Sequence, residues 1–321
     1  METLVCQHCH EQITFEYAEI DPQGRGFWCE CDGYTYLPSE KNHHRFTLLL
    51  EDKDSINTVA SSVKTKFQKR LSVLRYPGGK SKLIPYLFSK IQASSTNTLV
   101  SPFCGGASLE LALLHAGVVK QLILNDLDFG VYALFWTMKF APDELLYRIK
   151  NTLPTHKDYF YAQSIIKSDY HSCTILEAAW NLLLVNRLAY SGIYKANPLG
   201  GRHGTSNDLL SRWNPKDLSK RITQFNNMSD QITILNMDAC DLIEEEYWRP
   251  SSTIFIDPPY VQKGEQLYRC YYGMDEHVRL NVLLDSLYHG MPGADIILTY
   301  DNDPLIENIY MYPTIEKISR I

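Results

Sequence analysis

Ser252-Thr253-Ile254-Phe255-Ile256-Asp257-Pro258-Pro259-Tyr260 is the stretch from which the rest of the chain can be placed. Its apolar, β-branched run predicts a buried strand, and the two prolines stop the ladder because each fixes φ and lacks an N–H. Asp257 and Pro258 each precede a proline and are biased toward extended backbone. The product is a stiff turn at the strand's carboxyl end. It presents a carboxylate and backbone carbonyls, with the flat ring of Tyr260 beside them. A planar ring bearing an exocyclic NH2 group fits that set, its two hydrogens meeting two oxygens while the ring stacks. A four-residue match alone is equally an ordinary Pro-Pro turn.

Its companions add weight. Arg75-Tyr76-Pro77-Gly78-Gly79-Lys80 lies upstream, followed by Ser101-Pro102-Phe103-Cys104-Gly105-Gly106 and then Asn125-Asp126. Thr98 to Val100 predicts a parallel strand, the glycine loop opens a helix from Ser108, and Gln121 to Asn125 predicts the next strand. Strand, glycine loop and helix form the ligand-binding corner of a doubly wound sheet. Asp126 follows Gly106 by 20 residues, the spacing at which a carboxylate reaches ribose hydroxyls. Ile232 to Asp238 and Ala294 to Tyr300 predict further strands, and Asp275 to Tyr288 a helix on which His277 is expected at the surface.

In this order the motifs resemble the Dam-type DNA adenine-N6 methyltransferases (D12 class, alpha group), over roughly residues 71 to 321. The resemblance implies an α/β, Rossmann-like methyltransferase sheet with a helical target-recognition insert. It implies S-adenosylmethionine as methyl donor, touched by Tyr76, Gly78, Gly79, Lys80, Pro102, Phe103, Gly105, Gly106, Asp126, Asp238 and Asp257. Asp257, Pro258, Pro259 and Tyr260 become the catalytic set acting on a flipped adenine in double-stranded DNA. Two positions depart from the pattern: Ser101 stands where the family usually has an acid, and Ala107 stands at the third glycine position. Another carboxylate is needed to compensate for Ser101, or cofactor binding weakens. The competing readings are a catalytically impaired DNA-binding or regulatory homologue, an N4-cytosine methyltransferase, and an RNA adenine methyltransferase.

The predicted catalytic domain spans 71–139 and 231–321, with the insert at 140–230. From 185 to 222, seven cations against two anions give a local +5 in a chain of net charge −6. Arg187, Tyr190, Tyr194, Lys195, Arg202 and Arg212 are the candidate DNA contacts, with Trp213 among the stacking aromatics. Arg187 also reads as a structural residue beneath the loop. Residues 46–70 read as a polar linker running into a helix, and the loop from Leu267 to Arg269 is expected to close over the target base.

Residues 1–45 read as a separate zinc-ribbon-like module. Cys6, Cys9, Cys29 and Cys31 form two close pairs suited to tetrahedral zinc, with His8, His10, His43 or His44 as substitutes for one thiolate. A segment this short needs metal in place of a core. The other four cysteines are scattered, as reduced thiols in a cytoplasm are. An apolar run of about 18 residues is absent, so no membrane span is expected. The family resemblance implies a bacterial or phage-encoded protein of restriction-modification or phage defence. The family's sheet closes with a hairpin of two strands after Ala294 to Tyr300, and only the first, within Met311 to Ile321, is at hand. The resulting expectation is a protein partner or self-association at that sheet edge.

Overall fold

The strand ending before Asp257 lies within a seven-stranded sheet whose neighbours all run parallel. The structure, a computed structural model, describes residues 3–5, 9, 12–14, 19–20, 26–31, 34–36, 46–51, 67–68, 70–75, 80–94, 96–249, 251–260, 270, 272–310 and 312–318. In chain order the strands are β1 (Phe46–Glu51), β2 (Thr98–Ser101), β3 (Gln121–Asn125), β4 (Ile232–Leu235), β5 (Ser252–Ile256), β6 (Asp295–Asp301) and β7 (Thr314–Ile318). Across the sheet they lie β7-β1-β6-β5-β2-β3-β4. The order reverses between β5 and β2, which opens a crevice at their carboxyl ends.

Both faces of the five inner strands are buried, which is why those strands read as largely apolar runs. Leu49, Leu99, Leu122, Leu124, Phe255 and Ile297 belong to one core, packed with helices α1 (Ile84–Ser94), α2 (Ser108–His115) and α3 (Phe129–Phe140). Residues one step along the same strands, among them Leu48, Val100, Ile123, Ile254 and Leu298, belong to the other. Between β3 and β4, α3 is followed by α4 (Pro142–Asn151), α5 (His156–Lys167), α6 (Ile175–Leu188), α7 (Ser206–Leu210) and α8 (Pro215–Asn226). Three of these start on capping boxes, Thr155 with Asp158, Thr174 with Glu177 and Thr205 with Asp208. Helices α9 (Ala239–Glu246), α10 (Met274–His289) and α11 (Pro304–Ile309) contribute Leu242, Leu280 and Ile306 to the second core.

Residues 46–51 are not linker. Phe46-Thr47-Leu48-Leu49-Leu50 is itself a short apolar run, masked in sequence by the polar residues that follow it. Burial on both faces removes the alternation that would have marked a strand. Residues 67–68 and 70–72, expected to run into a helix, are irregular. The expected closing hairpin is also absent among the described residues. β1 takes the place beside β6, and β7 runs parallel to β1 at the sheet edge, tied to α1 by Lys90 on Glu316 at 2.6 Å. The slot assigned to a partner's strand is thus filled from within the chain.

Residues 1–45 form a separate compact unit. Its described strands are Thr3–Val5 paired antiparallel with Gln12–Thr14, and a three-stranded antiparallel set of Glu19–Ile20, Gly26–Trp28 and Tyr34–Tyr36.

Leu48 is fully buried on β1. Leu48→Ala should cost about 2–5 kcal/mol, read from the urea midpoint; a loss below about 0.5 kcal/mol would exclude a core role for this strand.

Candidate active site

The acidic residues singled out in the sequence converge because each follows the carboxyl end of a parallel strand. A cavity of about 270 Å³ lies there, lined by Lys80, the loop from Pro102 to Ala107, Glu110, Asp126, Asp238, Asp257, Pro259 and Arg279. The loop after β2 is held from beneath. Cys104 N–H donates to the Asn125 carbonyl at 2.8 Å, and Gly105 N–H donates to Asp126 Oδ2 at 2.9 Å. Buried Asn125 donates to the carbonyls of Pro102 (2.9 Å) and Met237 (3.0 Å) and accepts the Met237 N–H. It ties the loops after three strands together. Sequence reading passed over it, although an amide ending an apolar strand is a signal of such a clamp. Ala107 sits at φ 48° as the N-cap of α2, a left-handed conformation that costs a non-glycine residue about 1–2 kcal/mol. That strain is the physical content of the missing third glycine.

Ser101 has a carboxylate beside it. Its hydroxyl donates at 2.8 Å to Oε1 of Glu110, buried in the first turn of α2 and lining the cavity. Burial pushes the Glu110 carboxyl up to about 7, against hydrogen bonds from backbone and Ser101. Sequence reading missed Glu110 too; its signal is a lone carboxylate in the otherwise apolar run Leu109 to Leu114. Across the cavity Asp238 caps α9, accepting from Cys240 N–H at 2.9 Å, and pairs with Arg279 at 3.1 Å.

At the Pro-Pro turn Pro258 is buried while Pro259 and Tyr260 are half-buried. Asp257 Oδ1 accepts from Thr299 Oγ1 at 2.8 Å and pairs with Lys80 Nζ at 2.8 Å. The buried Lys80 ammonium also donates to Glu51 Oε1 at 2.7 Å and to the Tyr260 hydroxyl, and lies 4.7 Å from the Tyr260 ring centre. Burial raises the Asp257 pKa; Lys80 and Thr299 pull it down and Glu51 pushes it up.

Residues 76–320 match the family described as D12 class N6 adenine-specific DNA methyltransferase. The chain belongs to this family. It is also 25% identical, over 213 residues, to the "Type II methyltransferase M.CviBI" of Paramecium bursaria Chlorella virus NC1A, a match covering 65% of this chain and 76% of that one. The protein is therefore an adenine-N6 DNA methyltransferase that uses S-adenosylmethionine, built on a Rossmann-like sheet. Among its described residues no helix is long and apolar enough to cross a membrane.

In this methyltransferase the other sequence-predicted residues fall as follows. Tyr76, Gly78, Gly79 and Cys6, with Leu267 to Arg269, lie outside the described residues. Tyr190, Lys195, Arg202 and Arg212 are exposed and Tyr194 is half-buried. Arg187 is buried on the apolar α6, and burial, then Arg221 and Arg75, push its pKa down to about 10. Trp213 is also buried, edge-on to Trp180 at 5.8 Å, and so packs in the core rather than offering a stacking face. His277 is buried against the Tyr300 hydroxyl at 2.8 Å, not at the surface, because it falls on the inner stripe of α10 with Leu280 and Leu284. Asn186 braces the insert, accepting Arg75 N–H at 2.8 Å and donating to the Arg75 carbonyl at 2.9 Å, just before the Tyr76 motif. In the N-terminal unit the sulfurs of Cys9, Cys29 and Cys31 lie within 4.8 Å of one another.

Because the Glu110 pKa rises from the ordinary 4.5 to about 7 on folding, its contribution to stability is complete below about pH 4.5 and is lost as pH rises through about 7. Glu110→Gln should remove that loss, on the order of 2–4 kcal/mol between pH 5 and 8. Urea unfolding at both pH values tests it, and an unchanged pH dependence in the variant would refute it.

Proposed function

We propose that this methyltransferase methylates a flipped adenine in duplex DNA at the junction of the glycine-loop cavity and the Asp257 turn. The observation that carries the reading is that Gly105, Gly106, Asp126, Asp238, Asp257 and Pro259 line one cavity. Glu110, Asp126 and Asp238 make its wall acidic, which suits a donor bearing an ammonium, a sulfonium and ribose hydroxyls. Glu110 stands in for the acid absent at position 101 and takes the ammonium; Asp126, while bracing the loop, takes the ribose. The glycine loop lets backbone approach closely. S-adenosylmethionine supplies the methyl group.

The adenine amino nitrogen is a weak nucleophile because its lone pair is delocalised into the ring. Asp257 and the Pro258 carbonyl accept its two hydrogens, which favours a pyramidal nitrogen with the lone pair aimed at the methyl group. Among the described contacts Thr299 and Lys80 both hold Oδ1, leaving Oδ2 for the base. Asp257 then holds the proton that the methylated nitrogen releases. Tyr260 stacks on the base. Alignment and fixed charge carry the rate.

The insert at 140–230 is the target-recognition part, with Tyr190, Tyr194, Lys195, Arg202 and Arg212 on phosphates and bases and Arg187 supporting them from below. The Dam-type assignment within the D12 class rests on the three sequence motifs and this insert. The impaired-homologue reading loses its main support now that Glu110 answers Ser101. At that end of the sheet, among the described residues, a protein partner would meet the outer edge of β7. Reduced thiols and a duplex substrate favour a cytoplasmic enzyme, bacterial or phage-encoded, in restriction-modification or phage defence. The N-terminal unit reads as a zinc module: the Cys9 and Cys29 sulfurs are 3.5 Å apart, close to the spacing of thiolates sharing one tetrahedral zinc, with Cys6 as fourth ligand.

Asp257→Ala should lower methyl transfer to adenine at least about 10³-fold while calorimetry shows donor binding retained; a variant with parental turnover would sink the assignment. Native mass spectrometry should find one zinc per chain, lost in Cys29→Ser. Metal-free parent protein with its N-terminal strands intact would reject the metal.

A further inference from the structure

Lys80 carries three N–H donors, and among the described residues three acceptors surround it: Glu51 Oε1 at 2.7 Å, Asp257 Oδ1 at 2.8 Å and the Tyr260 hydroxyl. Two belong to the Pro-Pro turn. The third comes from the carboxyl end of β1, a strand outside the residues 76–320 that match the family. The Glu51 and Lys80 side chains are only 6% and 4% exposed. Glu51 is therefore no surface counter-ion. It is a buried carboxylate placed across the ammonium from the turn.

A lysine shared almost equally between two carboxylates neutralises neither. If Glu51 were absent, a buried ammonium with an unspent donor would settle wholly on Asp257, drawing charge from the carboxylate that meets the substrate amino group and turning it from its Thr299 setting. We infer that Glu51 is a positioning residue of the methyl-transfer site, acting through Lys80, and that β1 is a working part of this active site. The inference rests on the reading of Asp257 as the acceptor of the amino hydrogens.

The charged and titratable groups facing this cluster can be named. Among the described residues, those around Glu51 are Lys80 and, in register on β6, Asp301; on the other side Ile318 is in register, and neighbouring Lys317 is paired with Glu307. Around Asp257 they are Lys80, Glu51, Tyr260 and, across the cavity, Glu110. Removing the Glu51 charge makes Asp257 easier to ionise, and Lys80 settling upon it acts in the same direction. Removing Lys80 does the opposite. The two substitutions therefore move the acid limb of the rate profile in opposite directions.

The test is steady-state methylation of duplex DNA across pH by the parent, Glu51→Gln, Lys80→Met, the double variant and Asp257→Ala. Glu51→Gln should lower kcat about 10- to 100-fold, with donor affinity by calorimetry within about twofold. Its acid limb should move to lower pH and that of Lys80→Met to higher pH. The double variant should be no slower than Lys80→Met, since without that ammonium the Glu51 charge only opposes ionisation of Asp257. Glu51→Asp, which keeps the charge but draws it back, should fall between parent and Glu51→Gln, and it serves if the amide variant does not fold. Parental kcat in Glu51→Gln, a loss with an unmoved acid limb, or losses that multiply in the double variant would each overturn the inference. Activity in Asp257→Ala would instead overturn the reading beneath it.

Discussion

Six acidic side chains, Glu51, Glu110, Asp126, Asp238, Asp257 and Asp301, gather at one end of a parallel sheet, and their mutual repulsion is the constraint around which the site is built. Water alone does not relieve it, because Glu51 and Glu110 are buried. Relief comes in three forms. Lys80 bridges Glu51 and Asp257; Arg279 lies against Asp238 and Asp241; backbone N–H groups bind Asp126 and Asp238. Glu110 has only a hydroxyl and nearby backbone, and its proton affinity rises accordingly. The free enzyme thus stores unfavourable charge on the wall where a cationic methyl donor would settle. On the proposed placement, binding of that donor would also relieve the repulsion.

Much of this was readable without coordinates, for identifiable reasons. Asp257-Pro258-Pro259 announces itself because proline removes backbone donors at a fixed place, and a strand must stop there. Gly105-Gly106 and Asp126 are tied by chain distance, which a βαβ unit holds nearly constant. The insert helices begin at Thr155, Thr174 and Thr205, each with its carboxylate three residues on, a purely local code.

What was hidden depends on contacts between distant segments. Glu51 and Lys80 are 29 residues apart, and Lys80 and Tyr260 are 180 apart; nothing local marks Glu51 as anything but the first of several polar residues. Arg187 and Trp213 have the composition of a DNA-binding surface, yet both are turned inward by the apolar helix packing around them. Residue type identifies candidate chemistry, and only burial says whether a side chain can reach a ligand.

The position of β1 bears on how the chain reaches this state. Phe46–Glu51 lies between two strands that come more than 240 residues after it, so its edges stay open until those strands have been synthesised. About 240 residues separate Glu51 from the start of β6, which at common elongation rates is a delay of roughly 12–50 s. During that interval a run of phenylalanine and leucines has no sheet to join, while β2 and β3 can already pair. The first strand of this sheet is therefore enclosed only when strands more than 240 residues later in the chain arrive. The folded protein thereby carries strand contacts of high sequence separation, a feature that slows folding.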